Sequence, residues 1–63
     1  MKHENFLQVW RKRAKLSQWE LAQQLGIVQV DVSNIETGKV LPALDVRQKI
    51  CEIVGKKLNE VFP

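Results

Sequence analysis

Few side chains in this 63-residue sequence are equipped to make or break bonds. The one histidine is His3 and the one cysteine is Cys51. No nucleophile has a base at a workable spacing, no Cys/His set is spaced for a metal, and no glycine-rich loop could cradle phosphate. No enzyme activity, metal or cofactor is expected. What the chain concentrates instead is side chains that recognise: Gln18, Gln29, Asp31, Ser33 and Asn34, with Lys39 just beyond. An amide carries a donor and an acceptor side by side, so it can match the hydrogen-bonding edge of another molecule. On residue type alone, Gln29 and Asn34 are better explained as ordinary solvent-facing positions of a helix.

The composition bounds the rest. Residues 1–63 make one small domain, able to bury only about 60% of the surface its unfolded chain exposes. With one cysteine it forms no internal disulfide, so close helix packing, with or without a second subunit, must stabilise it. The lone thiol and the lack of a signal sequence fit a reducing, cytoplasmic setting. No apolar run reaches the roughly 20 residues of a membrane span. Ten Lys and Arg against seven Asp and Glu give a net charge of +3, a weak lean toward polyanionic partners.

Glycines at 26, 38 and 55, with Pro42, cut the chain into helix-sized pieces. The first helix is expected from His3 or Asn5 to Ala14, with Asn5 and Gln8 forming a reciprocal capping box. Phe6, Leu7, Trp10 and Ala14 then share its inward face, and Arg11, Lys12, Arg13 and Lys15 crowd the end that favours cations. Trp10 reads as core and Trp19 as rim. Ser17 and Glu20 give the second helix its capping box, Leu16 and Leu21 a hydrophobic staple, and Leu21, Ala22 and Leu25 an inward face that Gly26 ends. The third helix runs from about Val28 to Thr37 with Val32 and Ile35 inward. Val28, Val30 and Val32 alternate as a strand would, but one short strand with no partner forms no sheet. Pro42 suits the start of a fourth helix reaching Val54, with Asp45 in its first turn. Its apolar residues Leu44, Val46, Ile50, Cys51, Ile53 and Val54 span a wide arc, which means central packing, a dimer contact, or both. Cys51 reads as a small buried apolar residue. Leu58, Val61 and Phe62 close the core on a short fifth helix. The expected fold is an all-α five-helix bundle.

Within 18–37, Leu21, Ala22, Leu25, Gly26, Ile27, Val32 and Ile35 describe two short helices joined by a tight glycine turn, a helix-turn-helix. The wider pattern includes Arg11, LSQWELAQQLG at 16–26, VSNIETGK at 32–39, Pro42-Ala43-Leu44, Ile50, Gly55 and LNEVF at 58–62. It resembles the Cro/C1-type (Xre-like) helix-turn-helix proteins of bacteria and phages, at unbroken spacing from Leu7 to Phe62. The resemblance implies that the third helix enters the DNA major groove while the second braces it. It implies a phosphate contact for Gln18 and base reading by Gln29, Val30, Asp31, Ser33 and Asn34. It also implies a second phosphate contact at Lys39, and an internal ion pair between Arg11 and Glu36 that ties the first helix to the third.

Several residues depart from that pattern. Val28, Ala43 and Lys57 replace capping residues, Arg47 replaces an apolar residue, and Asp31 puts a negative charge near phosphates. The partner expected is double-stranded DNA, bound as a homodimer because one short helix reads too few base pairs alone. Neither a membrane nor a small-molecule ligand is expected. Repression of the phage or mobile-element kind is the simplest role, and a protein-interaction or antitoxin-type module is the alternative.

Overall fold

The computed structural model describes residues 3–63. Five helices follow in order: α1 (Leu7–Arg13), α2 (Gln18–Leu25), α3 (Gln29–Glu36), α4 (Leu44–Val54) and α5 (Leu58–Val61). No strand occurs among the described residues. None of these helices is long and apolar enough to cross a membrane.

Each helix gives the centre one fully buried side chain: Leu7, Leu21, Val32, Ile50 and Val61. Ala22, Ile35, Cys51 and Val54 complete the buried cluster, and Trp10, Leu25, Ile27, Val46, Ile53, Leu58 and Phe62 pack around it. Burying each large aliphatic side chain stabilises the fold by roughly 1.5–3 kcal/mol. Because every helix supplies one, none can leave without opening the centre. The wide apolar arc of α4 is mostly used in this packing, although Leu44 stays exposed. Burial pushes the Cys51 thiol up, so it stays protonated and packs as an apolar group.

Local signals set the turns around α2. Ser17 Oγ accepts from Glu20 N at 3.0 Å, and Glu20 Oε1 accepts from Ser17 N at 2.9 Å. Gly26 then takes the left-handed conformation, φ 72°, and Ile27 N donates back to Ala22 O at 3.0 Å. The alternating valines fold as helix. Val32 is spent on the core, while Val28 and Val30 point to solvent.

Three boundaries differ from the sequence reading. First, α1 begins at Leu7, later than His3 or Asn5, because Asn5 spends its side chain in two directions. Its Oδ1 accepts from Leu7 N at 2.9 Å, while its Nδ2 donates to Ile35 O at 2.8 Å. The reciprocal bond from Gln8 is not formed. Second, Ala14 is an exposed helix end and does not extend the inward row, and Phe6 is exposed as well. The chain turns out of α1 through Lys15, whose φ of 60° is unusual for a residue with a side chain. Third, α4 begins at Leu44. Pro42 is buried in the approaching loop and Ala43 is extended, so Pro42 packs the loop and does not open the helix.

The segment before α1 meets both α5 and the turn after α3. Phe6 N donates to Val61 O at 2.8 Å, and His3 N donates to Gly38 O at 2.7 Å. Trp10 Nε1 reaches Glu60 O at 3.0 Å, its ring lying 4.5 Å from Lys56 Nζ and 5.3 Å from the Arg13 guanidinium carbon. Lys57 has no side-chain acceptor to cap α5; only Glu60 contributes there, accepting from Lys57 N at 3.1 Å.

Two glycine substitutions separate strain from crowding. A Cβ at Gly26 meets nothing within 4 Å, so Gly26→Ala should cost only the left-handed strain, about 1–2 kcal/mol. At Gly38, φ 80°, a Cβ would lie 3.0–3.1 Å from the His3 backbone. Gly38→Ala should therefore lose more in urea denaturation by at least about 1 kcal/mol. Equal losses would mean that the His3 segment yields freely.

The capping box gives a pH test. The backbone and side chain of Ser17 hold the Glu20 carboxyl below its ordinary value. A lowered folded-state value contributes stability above the unfolded-state value, lost as pH falls through the folded one. Thermal melts of Glu20→Gln should lack this portion of the acid-induced loss and otherwise follow the parent.

Candidate nucleic-acid interface

The site is built outward from one buried charge. Arg11 is 6% exposed, and all three of its side-chain nitrogens donate hydrogen bonds. Nε and Nη2 donate to Glu36 at 2.5 and 3.3 Å, and Nη1 donates to Leu16 O at 2.7 Å. A single guanidinium thus joins α1, the end of α3, and the turn that leads into α2. Its fork geometry matches a carboxylate, which a lysine ammonium would not.

Glu36 also serves α2. Its Oε1 accepts from Gln18 Nε2 at 3.0 Å, which fixes the Gln18 side chain and leaves its Oε1 turned to Gln29, whose Nε2 lies 3.4 Å away. A row of four side chains therefore runs from the interior to the surface: Arg11, Glu36, Gln18, Gln29. Around Gln18, the α2 capping bonds use the N–H groups of Ser17, Glu20 and Leu21. Those of Gln18 and Trp19 are left for an acceptor outside the chain, with the positive end of the helix dipole behind them.

On α3, Gln29, Val30 and Asp31 are exposed, and Ser33 and Asn34 are half-buried. At 100° per residue, Val30 and Asn34 lie opposite the side that carries Val32 and Ile35 into the core. Gln29 and Ser33 share the edge toward α2, and Asp31 falls on the other edge. Asn34 O accepts from Lys39 N at 2.9 Å, which ties the exposed Lys39 to the helix it follows. The surface so formed offers two amides, a hydroxyl, a branched methyl group and a cation, with Gln18 braced beside them.

The start of α3 is bare. Val28 stands at the N-cap without a side-chain acceptor, and no capping bond is made there. Asp31 in the first turn opposes the helix dipole, which gives its carboxylate a role in holding the helix. Sequence spacing did not show the Gln18–Glu36 bond, the carbonyl of Leu16 as a partner of Arg11, or the tie from Asn5 to Ile35. These join residues 18, 5 and 30 positions apart, with no local pattern to signal them.

Two short helices at a glycine turn, one braced by the other and presenting a polar outer face, define a helix-turn-helix domain. The chain belongs to the helix-turn-helix domain family, whose pattern matches residues 5–61. It is 34% identical over 59 residues to an uncharacterised helix-turn-helix-type transcriptional regulator of Methanocaldococcus jannaschii, covering 94% of this chain and 89% of that protein. A second such regulator, YgzD of Bacillus subtilis, is 32% identical with the same coverage. A candidate DNA-binding protein from Bacteroides fragilis has the same fold, with TM-score 0.85 at 22% identity, covering 92% of this chain and 94% of its own. The clp gene regulator ClgR from C. glutamicum superposes with TM-score 0.75 at 19% identity over 84% of this chain and 69% of its own. Family and relatives place the chain among regulators and not among enzymes.

Removing the guanidinium tests the row. Arg11→Met strands Glu36 in the interior and should cost about 3–5 kcal/mol in chemical denaturation. An unchanged denaturation midpoint would show that solvent reaches Glu36 and satisfies it without Arg11.

Proposed function

We propose that this protein is a sequence-specific regulator of transcription that binds double-stranded DNA and acts as a repressor. In this reading α3 lies in the major groove. Gln29 and Asn34 bond to base edges, as amides do with adenine, and Val30 meets a thymine methyl. Ser33 hydrogen-bonds beside them, and Asp31 accepts from cytosine N4 on the flank. Gln18 and the free N–H groups at the start of α2 hold one phosphate, and Lys39 holds another. One such helix reads only a few base pairs, so two copies act together on a near-palindromic site, with half-sites about one helical turn apart. The setting is the cytoplasm, at the nucleoid. The observation that carries this reading is the row from Arg11 to Gln29, which spends a buried ion pair on fixing an exposed amide.

A protein-interaction module is the second reading, favoured by the exposure of Val28 and Val30 on the same face at 60% and 61%. Salt separates the two, because phosphate contacts release counterions and a protein interface need not.

Site selection from random duplex DNA should yield a two-fold symmetric motif. Gln29→Ala should relax the preference at one base position per half-site. Lys39→Ala should weaken all duplexes alike and lower the salt slope by about one for each copy bound. Salt-insensitive binding, or no enrichment of any sequence, would remove the DNA-reading proposal.

A further inference from the structure

The α1 helix carries a second face that the core does not use. Leu7 and Arg11 turn inward, while Val9, Trp10 and Arg13 lie within a different arc of the helix, with Phe6 one turn ahead at the N-cap. Phe6 is 53% exposed and Val9 47%. Neither belongs to the buried cluster or to the side chains packed around it. Two large apolar side chains thus stand in water toward one end of α1, and a cluster of cations stands at the other.

That cluster is held by one indole. Arg13 comes from the last turn of α1 and Lys56 from the turn between α4 and α5. The Arg13 guanidinium carbon lies 5.3 Å and Lys56 Nζ 4.5 Å from the centre of the Trp10 ring, within reach of a cation–π attraction. The ring is itself fixed, since Trp10 Nε1 donates to Glu60 O at 3.0 Å. Neither cation meets a carboxylate, because the one ion pair among the described residues is Arg11–Glu36. Lys12, Lys15 and Lys57 are exposed nearby and add charge of the same sign. The neighbouring carboxylates do not cancel it. Glu60 is engaged in accepting from Lys57 N, and Glu52, one turn before Lys56, forms no ion pair. Glu4 borders Phe6, at the opposite end from the cations.

These features select the occupant. Phe6 and Val9 call for apolar contact, the unpaired cations call for carboxylates, and Glu4 beyond Phe6 fixes which way round they lie. From Phe6 to Arg13 the stripe covers about two helical turns, roughly 10 Å, a length that a short helical segment matches. A nucleic-acid strand would meet the cations but gain nothing from Phe6 and Val9, because it presents phosphates along its whole length. Trp10 already holds Arg13 and Lys56 in place, so ordering them on binding costs less.

We propose that the stripe of Phe6, Val9 and Arg13 on α1, with Lys56 beside it, docks an acidic amphipathic segment of a partner protein. The apolar side chains of the segment meet Phe6 and Val9, and its carboxylates meet Arg13 and Lys56, with anchors one turn apart as in other helix-on-groove contacts. None of these residues belongs to the α2–α3 face, so the partner leaves that face open. The inference goes beyond the DNA-binding reading and does not depend on it.

A Trp19→Phe chain keeps Trp10 as its only tryptophan, so the surface reports on itself. The probe is a synthetic helical peptide with Leu and Phe on one face and Asp and Glu on the other. Its titration should shift the Trp10 emission to saturation and move the amide resonances of Val9, Arg13 and Lys56, leaving those of Gln29 and Asn34 in place. Arg13→Glu and Lys56→Glu should each weaken binding about tenfold. Val9→Ser, at an exposed site, should weaken it while keeping the parent's thermal melt. A peptide of the same charge with Ser in place of Leu and Phe should bind far more weakly. The surface is overturned by the absence of a saturable shift, by resonance changes confined to α2 and α3, or by equal binding of the two peptides. Random duplex DNA is the control for phosphate. If Arg13→Glu weakens duplex and peptide alike, the cations are nucleic-acid contacts and the proposal fails.

Discussion

The buried pair between Arg11 and Glu36 is the constraint on which the arrangement of α1, α2 and α3 depends. A domain of this size has little stability to spare, and taking two charges out of water is costly. Two apolar residues of similar volume could fill the same space and, by general experience, hold the core as well or better. They would give Gln18 no acceptor, however, and Gln18 would lose the bond that aims it. The ion pair is best understood as a positional device. It converts the packing of three helices into the orientation of one surface amide.

The α3 helix borrows most of its stability. It has eight residues and no capping side chain, and it carries three valine or isoleucine residues, which helices do not favour. Against this stand the burial of Val32 and Ile35, the Asp31 carboxylate in its first turn, and ties from Asn5 and His3 at its far end. Such a helix holds its place because its neighbours hold it. Its outer residues carry little of the structural burden and can differ without disturbing the interior.

How much of this was legible in the sequence follows from distance along the chain. The α2 capping box, the Gly26 turn and the inward positions Leu21, Ala22, Val32 and Ile35 lie within four residues of their partners, and spacing alone revealed them. The late start of α1 could not be read that way. Asn5 is claimed by Ile35, 30 residues on, and no local rule announces it. Ala14 and Leu44 satisfied helical periodicity and yet face solvent, because periodicity assigns a face without saying where the neighbouring helix ends. At the site, Arg11 and Glu36 were paired through the family pattern and not through spacing, being 25 residues apart. The bonds from Gln18 to Glu36 and Gln29 needed coordinates.

The contact between the start of α1 and α5 has a consequence for how the molecule is made. Leu7 is fully buried among residues that include Val61, and Phe6 N waits for the Val61 carbonyl. While a ribosome still holds residues 58–61 in its exit tunnel, α1 has no lid and its apolar face stays wet. The α1 helix therefore cannot complete its packing as it emerges. It waits for α5, whose Val61 covers Leu7 and receives the Phe6 N–H.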